Sequence, residues 1–144
     1  MRSGVLRPDA SGIVGIGTDL VSIERLSGAL ARRPALARRL FTAQERDRAA
    51  TTASASARAA SLAARFATKE AVMKSLGIGL GGCGFDEIDV VGGHGVPPAV
   101  RLRGRASSRA ELLGVDELAV TMAHDAGLAT ATAIAWRRCT CATS

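Results

Sequence analysis

The chain has no tyrosine, one tryptophan and three phenylalanines, so aromatic residues make up only 3% of its 144 positions. That shortage excludes the aromatic stacking platform used to hold single-stranded nucleic acid. It also means that the core is built from Ala, Val, Leu and Ile. Lysine is almost as scarce: of nineteen basic residues only Lys69 and Lys74 are lysine, and the rest are arginine. Cysteine is limited to Cys83, in a glycine-rich stretch, and to Cys139 and Cys141 in the terminal RRCTCATS. An odd count with a lone C-x-C makes neither a disulfide framework nor a four-ligand zinc site, and reads as reduced thiols. Long apolar runs are missing as well. The mild stretch from Ala126 to Trp136 is too short and too rich in Ala and Thr to cross a bilayer. The opening MRSGVLRPDASG has no apolar centre of the kind a secretory signal needs. These absences give the expectation of a cytoplasmic protein with no membrane partner.

What is present fits one compact domain. The chain is long enough to bury a real core, 47% of it is apolar and 22% is charged. A net charge of +6 calls for an anionic partner. Charge alone leaves nucleic acid, a phosphorylated small molecule and an acidic protein open. No zinc-finger or basic-zipper pattern favours the first.

Along the chain, IVGIGTDL (13–20) has apolar residues bounded by glycine and reads as a short buried strand. Ser22 can cap a helix over SIERLSGALARR, which Pro34 interrupts before a short helical PALARRLF. Thr42 with Glu45 three residues later is a capping box, so another helix starts near Ala43. A Ser/Thr/Ala stretch leads into a long helix that ends at Gly77 and is followed by the glycine-rich GIGLGGCG. FDEIDVVGG and PAVRLRG read as two strands, SSRAELLG as a helix closed by Gly114, and ELAVTMAHD and GLATATAIAW as two alternating strands. This order predicts a single α+β domain over 13–136 with helices packed on an antiparallel-rich sheet. Residues 1–12 are expected to be a leader and 137–144 a tail.

The long helix carries the chemistry. At about 100° per residue, Leu62, Phe66, Met73 and Leu76 form an apolar stripe. Ala60, Ala63, Ala67 and Ala71 line most of another side, and Ser61, Arg65, Thr68 and Ser75 make a polar wedge free to face water. Lys69 falls inside the apolar stripe, with Glu70 and Lys74 along its edge. A plain reading is a surface Glu70–Lys74 pair at i,i+4. Burying such charges is costly unless they are paired or bound to a metal. A second carboxylate, Asp19, ends the first strand just after Gly15 and Gly17. Asp19 and Glu70 together supply two hard oxygen ligands, as Mg2+ sites do when waters and substrate phosphates complete the shell. Lys74 beside them suits a phosphate.

Here GIGTDLVSIERL, FTAQE and RFATKEAVMKSLGIG together resemble the holo-acyl-carrier-protein synthases, the small 4′-phosphopantetheinyl transferases. The family pattern G-[IL]-G-x-D-[ILV], followed by [FW]-x-x-K-E-A-x-x-K-x-x-G-x-G, stands here without a gap. The likeness runs from Ile13 to Trp136. It implies the 4′-phosphopantetheinyl transferase fold, Mg2+ held by Asp19 and Glu70, coenzyme A as co-substrate, and Lys74 on its phosphates. It further implies that Arg65 and Lys69 help to anchor coenzyme A. The family's S-x-S-H element is VTMAHDA here, which puts His124 at a phosphate-contacting position. Without the resemblance, His124 is a strand-end imidazole bonded locally. Two positions depart from the pattern, Val96 where Lys is common before Pro97 and Ala123 for the Ser before His124. Neither is a metal ligand.

The implied reaction moves 4′-phosphopantetheine from coenzyme A to a serine of an apo acyl carrier protein. Glu70, a metal-ordered water or Asp125 can each be the base, and Asp125 can equally be a turn residue. Carrier proteins of this kind are acidic. Arg25, Arg32, Arg33, Arg38 and Arg39 therefore make a docking surface, the alternative being a solvated arginine face. The family's small members are trimers with sites between subunits, so His124 is expected to serve a neighbour's Asp19 and Glu70. Two other classes remain. A basic nucleic-acid-binding domain would use the arginines and have no need of the carboxylates. A dinucleotide-binding enzyme would use GIGLGG, but those glycines follow a helix instead of joining a strand to one.

Overall fold

A computed structural model describes residues 12–138; Cys139 and Cys141, read above as reduced thiols, lie outside the described residues. Strand β1 (Gly12–Ser22) is followed by helices α1 (Ile23–Arg32), α2 (Ala35–Leu40), α3 (Ala43–Ala50) and α4 (Ala55–Ser75). A 3-10 turn at Phe85–Glu87 leads into β2 (Ile88–Gly93) and β3 (Val96–Leu102), then α5 (Gly104–Leu112), β4 (Glu117–Asp125) and β5 (Leu128–Arg137).

Local signals account for most of these boundaries. Ser22 caps α1 by accepting from the Arg25 N–H. Thr42 and Glu45 form the capping box that starts α3. The β4–β5 hairpin closes through Ala126 and Gly127, both at positive φ (48° and 78°), as a two-residue turn between twisted strands requires. Helix α5 begins earlier than its serines imply, with Arg103 at the N-cap and no side-chain cap.

The sheet is divided. Strands β1, β5 and β4 form one antiparallel sheet in that order, and β2 pairs only with β3. Strand β3 approaches β4 without joining its ladder. Strand β1 begins one residue before its expected start and β5 ends one residue after its expected end, since Gly12 pairs with Arg137; β1 also runs on to Ser22.

Helix α4 lies across the three-stranded sheet, chiefly over β1 and β5. In LATATAIAW the alternation puts Ala129, Ala131, Ala133 and Ala135 on the buried face. Opposite them stand Ala63, Ala64, Ala67 and Ala71 of α4, all buried. The approach is close enough that β1 needs glycine. An ideal Cβ on Gly17 would fall inside the Ala71 carbonyl oxygen and 2.7 Å from the Ser75 nitrogen, and one on Gly15 would collide with the Ser75 carbonyl.

The polar wedge expected to face water does not. Arg65, Thr68 and Ser75 are buried, because α4 is packed on nearly all sides. Thr68 and Ser75 bond back to carbonyls of their own helix. Arg65 donates to Val90 O (2.6 Å) and Gly92 O (3.1 Å) across the core.

Candidate active site

Strand β1 and helix α4 meet at an open groove of about 810 Å³ closed on its far side by α1. Asp19 and Glu70 line it, together with Phe66, Leu26, Arg25 and Arg32. Asp19 stands two residues beyond Gly17 on the same face of β1, one of the alternate positions turned toward α4. The two carboxylates therefore converge because the glycines let helix and strand touch.

Lys74 pairs with Asp19 and not with Glu70 at i,i+4. Its Nζ lies 2.9 Å from Asp19 Oδ1 and donates to Thr18 O at 2.9 Å. Half of the Lys74 side chain is exposed, against 17% for Asp19, so the ammonium sits at the rim with room to meet a ligand. Partial burial and the neighbouring Asp19 charge push the Glu70 carboxyl above its usual range, and Lys74 offsets part of that rise. Asp19 and Glu70 thus repel each other at the groove, and Lys74 beside them relieves part of that repulsion.

Other sequence-based expectations are placed differently. Lys69 and Arg65 do not reach the groove. Lys69 is fully buried, and its three N–H bonds go to Glu45 Oε2 (2.7 Å), Leu40 O and Phe85 O (2.8 Å each). An ammonium has three donors, so none is left for coenzyme A. Burial lowers the Lys69 pKa, and the ion pair with Glu45 opposes that fall. Arg65 is likewise held in the interior by carbonyls of β2. Neither lines the groove of Asp19 and Glu70: Lys69 is an internal tie, and Arg65, bonded to carbonyls of β2, borders a separate cavity.

His124 and Asp125, at the exposed end of β4, do not line the groove of Asp19 and Glu70; with Leu20 and Thr130 they line a separate depression. His124 also borders a cavity of about 320 Å³ with Arg65, His94 and Ser61. Asp125 Oδ1 accepts from the Ala126 N–H (2.8 Å), a turn-stabilising contact. Of the arginines, Arg25 and Arg32 flank the groove. Arg33 ends α1, and Arg38 and Arg39 face the glycine-rich loop across another depression. Sequence reasoning missed two contributors. Phe66, assigned to a core stripe, lines the groove. Glu45, read only as a cap, is the counter-charge of Lys69; the signal was a lysine inside an apolar stripe that needed one.

A strand of glycines under a K-E-x-x-x-K helix, with paired carboxylates between them, defines a class. The chain belongs to the 4′-phosphopantetheinyl transferase superfamily, whose family model matches residues 15–133, and its relatives there are holo-[acyl-carrier-protein] synthases. It is 43% identical over 125 residues to the holo-[acyl-carrier-protein] synthase of Beutenbergia cavernae, covering 87% of this chain and 99% of the relative. It is 44% identical over 124 residues to that of Streptomyces griseus, covering 85% and 98%. Among solved structures, that of the Neisseria meningitidis enzyme matches with a TM-score of 0.76 at 28% identity, over 87% of this chain and 99% of the other. The Helicobacter pylori enzyme in complex with coenzyme A matches at 0.70 and 26% identity, over 83% and 98%. Among the described residues no helix is long and apolar enough to cross a membrane.

Proposed function

We propose that the chain transfers 4′-phosphopantetheine from coenzyme A to a serine of an apo acyl carrier protein, releasing adenosine 3′,5′-bisphosphate. The observation that carries this reading is the convergence of Asp19, Glu70 and Lys74 at one groove, in a chain so similar to holo-[acyl-carrier-protein] synthases.

The donor set fits a hard divalent cation. Two carboxylates repel across the groove, and among the described residues no third His, Cys, Asp or Glu completes a cluster. Mg2+ accepts that arrangement, with water and pyrophosphate oxygens filling the rest of its shell. Asp19 and Glu70 would hold it, and when bound it would neutralise pyrophosphate charge.

The serine oxygen attacks the phosphorus that bears pantetheine, and the bond to the adenosine bisphosphate oxygen breaks. Lys74 leaves Asp19 to meet the phosphate charge. Glu70 or a metal-ordered water beside it accepts the serine proton. Positioning and charge neutralisation supply most of the acceleration in such transfers. Arg25 and Arg32 at the groove edge draw in an acidic carrier, chiefly by raising its association rate.

The outer face of the three-stranded sheet supports a trimer. Ile16 (61% exposed), Leu20 (64%) and Trp136 (42%) stand on it among Thr18, Thr130 and Ala123, large apolar side chains that neighbouring chains would cover. His124 lies at its edge, where a second chain brings it to the neighbour's Asp19 and Glu70.

Intact-mass analysis of an apo acyl carrier protein incubated with the protein, coenzyme A and Mg2+ tests the reading. The expected gain of one phosphopantetheine requires both the metal and Glu70, and is lost in Glu70→Ala. No gain on fatty-acid or polyketide carriers, from folded protein, overturns it.

A further inference from the structure

Lys69 is left without a role in the chemistry above, yet its surroundings are highly built. Its ammonium joins α4 to the end of α2 through Leu40 O and to the 3-10 turn through Phe85 O. The Phe41 ring centroid lies 5.6 Å away. Glu45 uses both oxygens as well: Oε2 also accepts from Thr42 N, and Oε1 accepts from Val90 N, each at 2.8 Å. Thr42 Oγ1 donates to Asp89 Oδ1 at 2.7 Å. Arg65, one turn earlier on α4, ties the same helix to β2. Among the described residues the buried charges are two cations, Arg65 and Lys69, and two anions, Glu45 and Asp89.

Such a pair gives little net stability over apolar side chains of the same volume, and its best attested use is to fix one packing register. The register at stake here is that of α4. Its contact with β1 and β5 runs largely through glycine and alanine, short side chains that block closer approach but grip less against rotation and sliding than a polar tie does. A helix that slips by one residue shifts by about 1.5 Å and turns by about 100°, which would carry Glu70 out of the groove.

We propose that Lys69 and Glu45 are positioning residues: their ion pair sets the rotation and axial height of α4 so that Glu70, the next residue, faces Asp19. This rests on the role given to Glu70 above.

The test compares the parent, Lys69→Met, Glu45→Gln and the double variant Lys69→Met/Glu45→Gln. Intact-mass transfer kinetics are run well below each melting temperature, and the crystal structure of the double variant is solved. Lys69→Met alone leaves a buried carboxylate unpaired and is expected to melt lowest. The double variant removes both charges and recovers much of that loss. Its kcat is expected to fall by about 10- to 100-fold while KM for coenzyme A and for the carrier holds, with α4 turned or slid against β1. A folded double variant with parental kcat and α4 in place overturns the proposal. So does a KM for coenzyme A that rises while kcat holds, since that marks Lys69 as a ligand contact. Should the double variant not fold, Glu45→Gln decides, because Lys69 keeps its two carbonyl acceptors: a smaller loss of kcat at constant KM is expected, and parental kcat overturns the proposal. If the parent itself transfers to no carrier, the functional reading falls by itself, and the crystallographic placement of α4 still decides this one.

Discussion

Gly17→Ala should part the two halves of the site without touching a charged residue. The added Cβ would meet only backbone: the Ala71 carbonyl oxygen, the Ser75 nitrogen at 2.7 Å and the Ala71 carbonyl carbon at 2.9 Å. None of these can swing aside as a side-chain tip can. The nearest of them, the Ala71 oxygen, would lie at 1.9 Å, so restoring ordinary contact near 3.5 Å requires α4 to retreat by about 1.5 Å. Overpacking of this kind costs about 1–3 kcal/mol, and a rigid backbone neighbour puts the figure near the top of that range. For a chain of this size each kcal/mol lowers Tm by about 2–4 °C, so the variant should melt roughly 5–10 °C below the parent. A shift of that size between Asp19 and Glu70 should lower kcat by at least about 10²-fold, with KM for the carrier retained because Arg25 and Arg32 stand on α1. Circular dichroism melts and mass-based transfer assays read both effects. Gly79→Ala is the control, since a Cβ there meets nothing within 4 Å. If Gly17→Ala melts with the parent and keeps its kcat, or if Gly79→Ala does equal damage, the close-contact argument is wrong.

Glu70→Gln should slightly stabilise the metal-free protein at neutral pH, by well under about 1 kcal/mol given its partial exposure. Folding raises the Glu70 pKa, so ionising it costs stability as pH rises through the folded value. The advantage of Gln should vanish in melts below the ordinary carboxylate range, and an advantage that grows in acid would contradict the assignment. Arg25→Glu with Arg32→Glu should raise KM for the carrier severalfold and leave KM for coenzyme A unchanged; unaltered carrier kinetics would remove the docking role. Leu20→Lys, on the exposed sheet face, should give a folded monomer by sedimentation that transfers poorly. An active monomer, or an undisturbed trimer, would argue against sites shared between chains. Thr42→Val should cost about 1–3 kcal/mol in denaturant melts, because it removes the cap of α3 and a donor to buried Asp89 together.

Much of this was legible wherever a short stretch settles its own conformation. GIGTDL, the Thr42–Glu45 box and the alternation of LATATAIAW each specify an element locally, and the pairing of Asp19 with Glu70 followed from two motifs. The failures share a physical cause. A helical wheel shows which residues share a face but not how many faces are covered, so Arg65, Thr68 and Ser75 read as solvent-facing although α4 is enclosed. Their partners lie in distant segments, as when Arg65 bonds carbonyls of Val90 and Gly92, and a carbonyl leaves no mark in sequence. Lys69 was recognised as misplaced in an apolar stripe, but its true counter-charge is twenty-four positions away at Glu45, inside a motif that already had a complete local explanation. The split of the sheet was equally hidden, because strand pattern records which face is buried and not which neighbour is bonded.

The seam between α4 and the sheet is made of alanine on alanine, Ala63, Ala64, Ala67 and Ala71 against Ala129, Ala131, Ala133 and Ala135. A methyl group has no side-chain torsion to choose, so ordering this seam forfeits almost no rotameric freedom. The same fact removes any means of adjustment. A leucine core answers a substitution by flipping neighbours into other wells, whereas here each larger residue must be met by movement of whole backbone elements. The seam should therefore be mechanically stiff and mutationally brittle, with nearly every enlargement along eight positions felt directly at the groove.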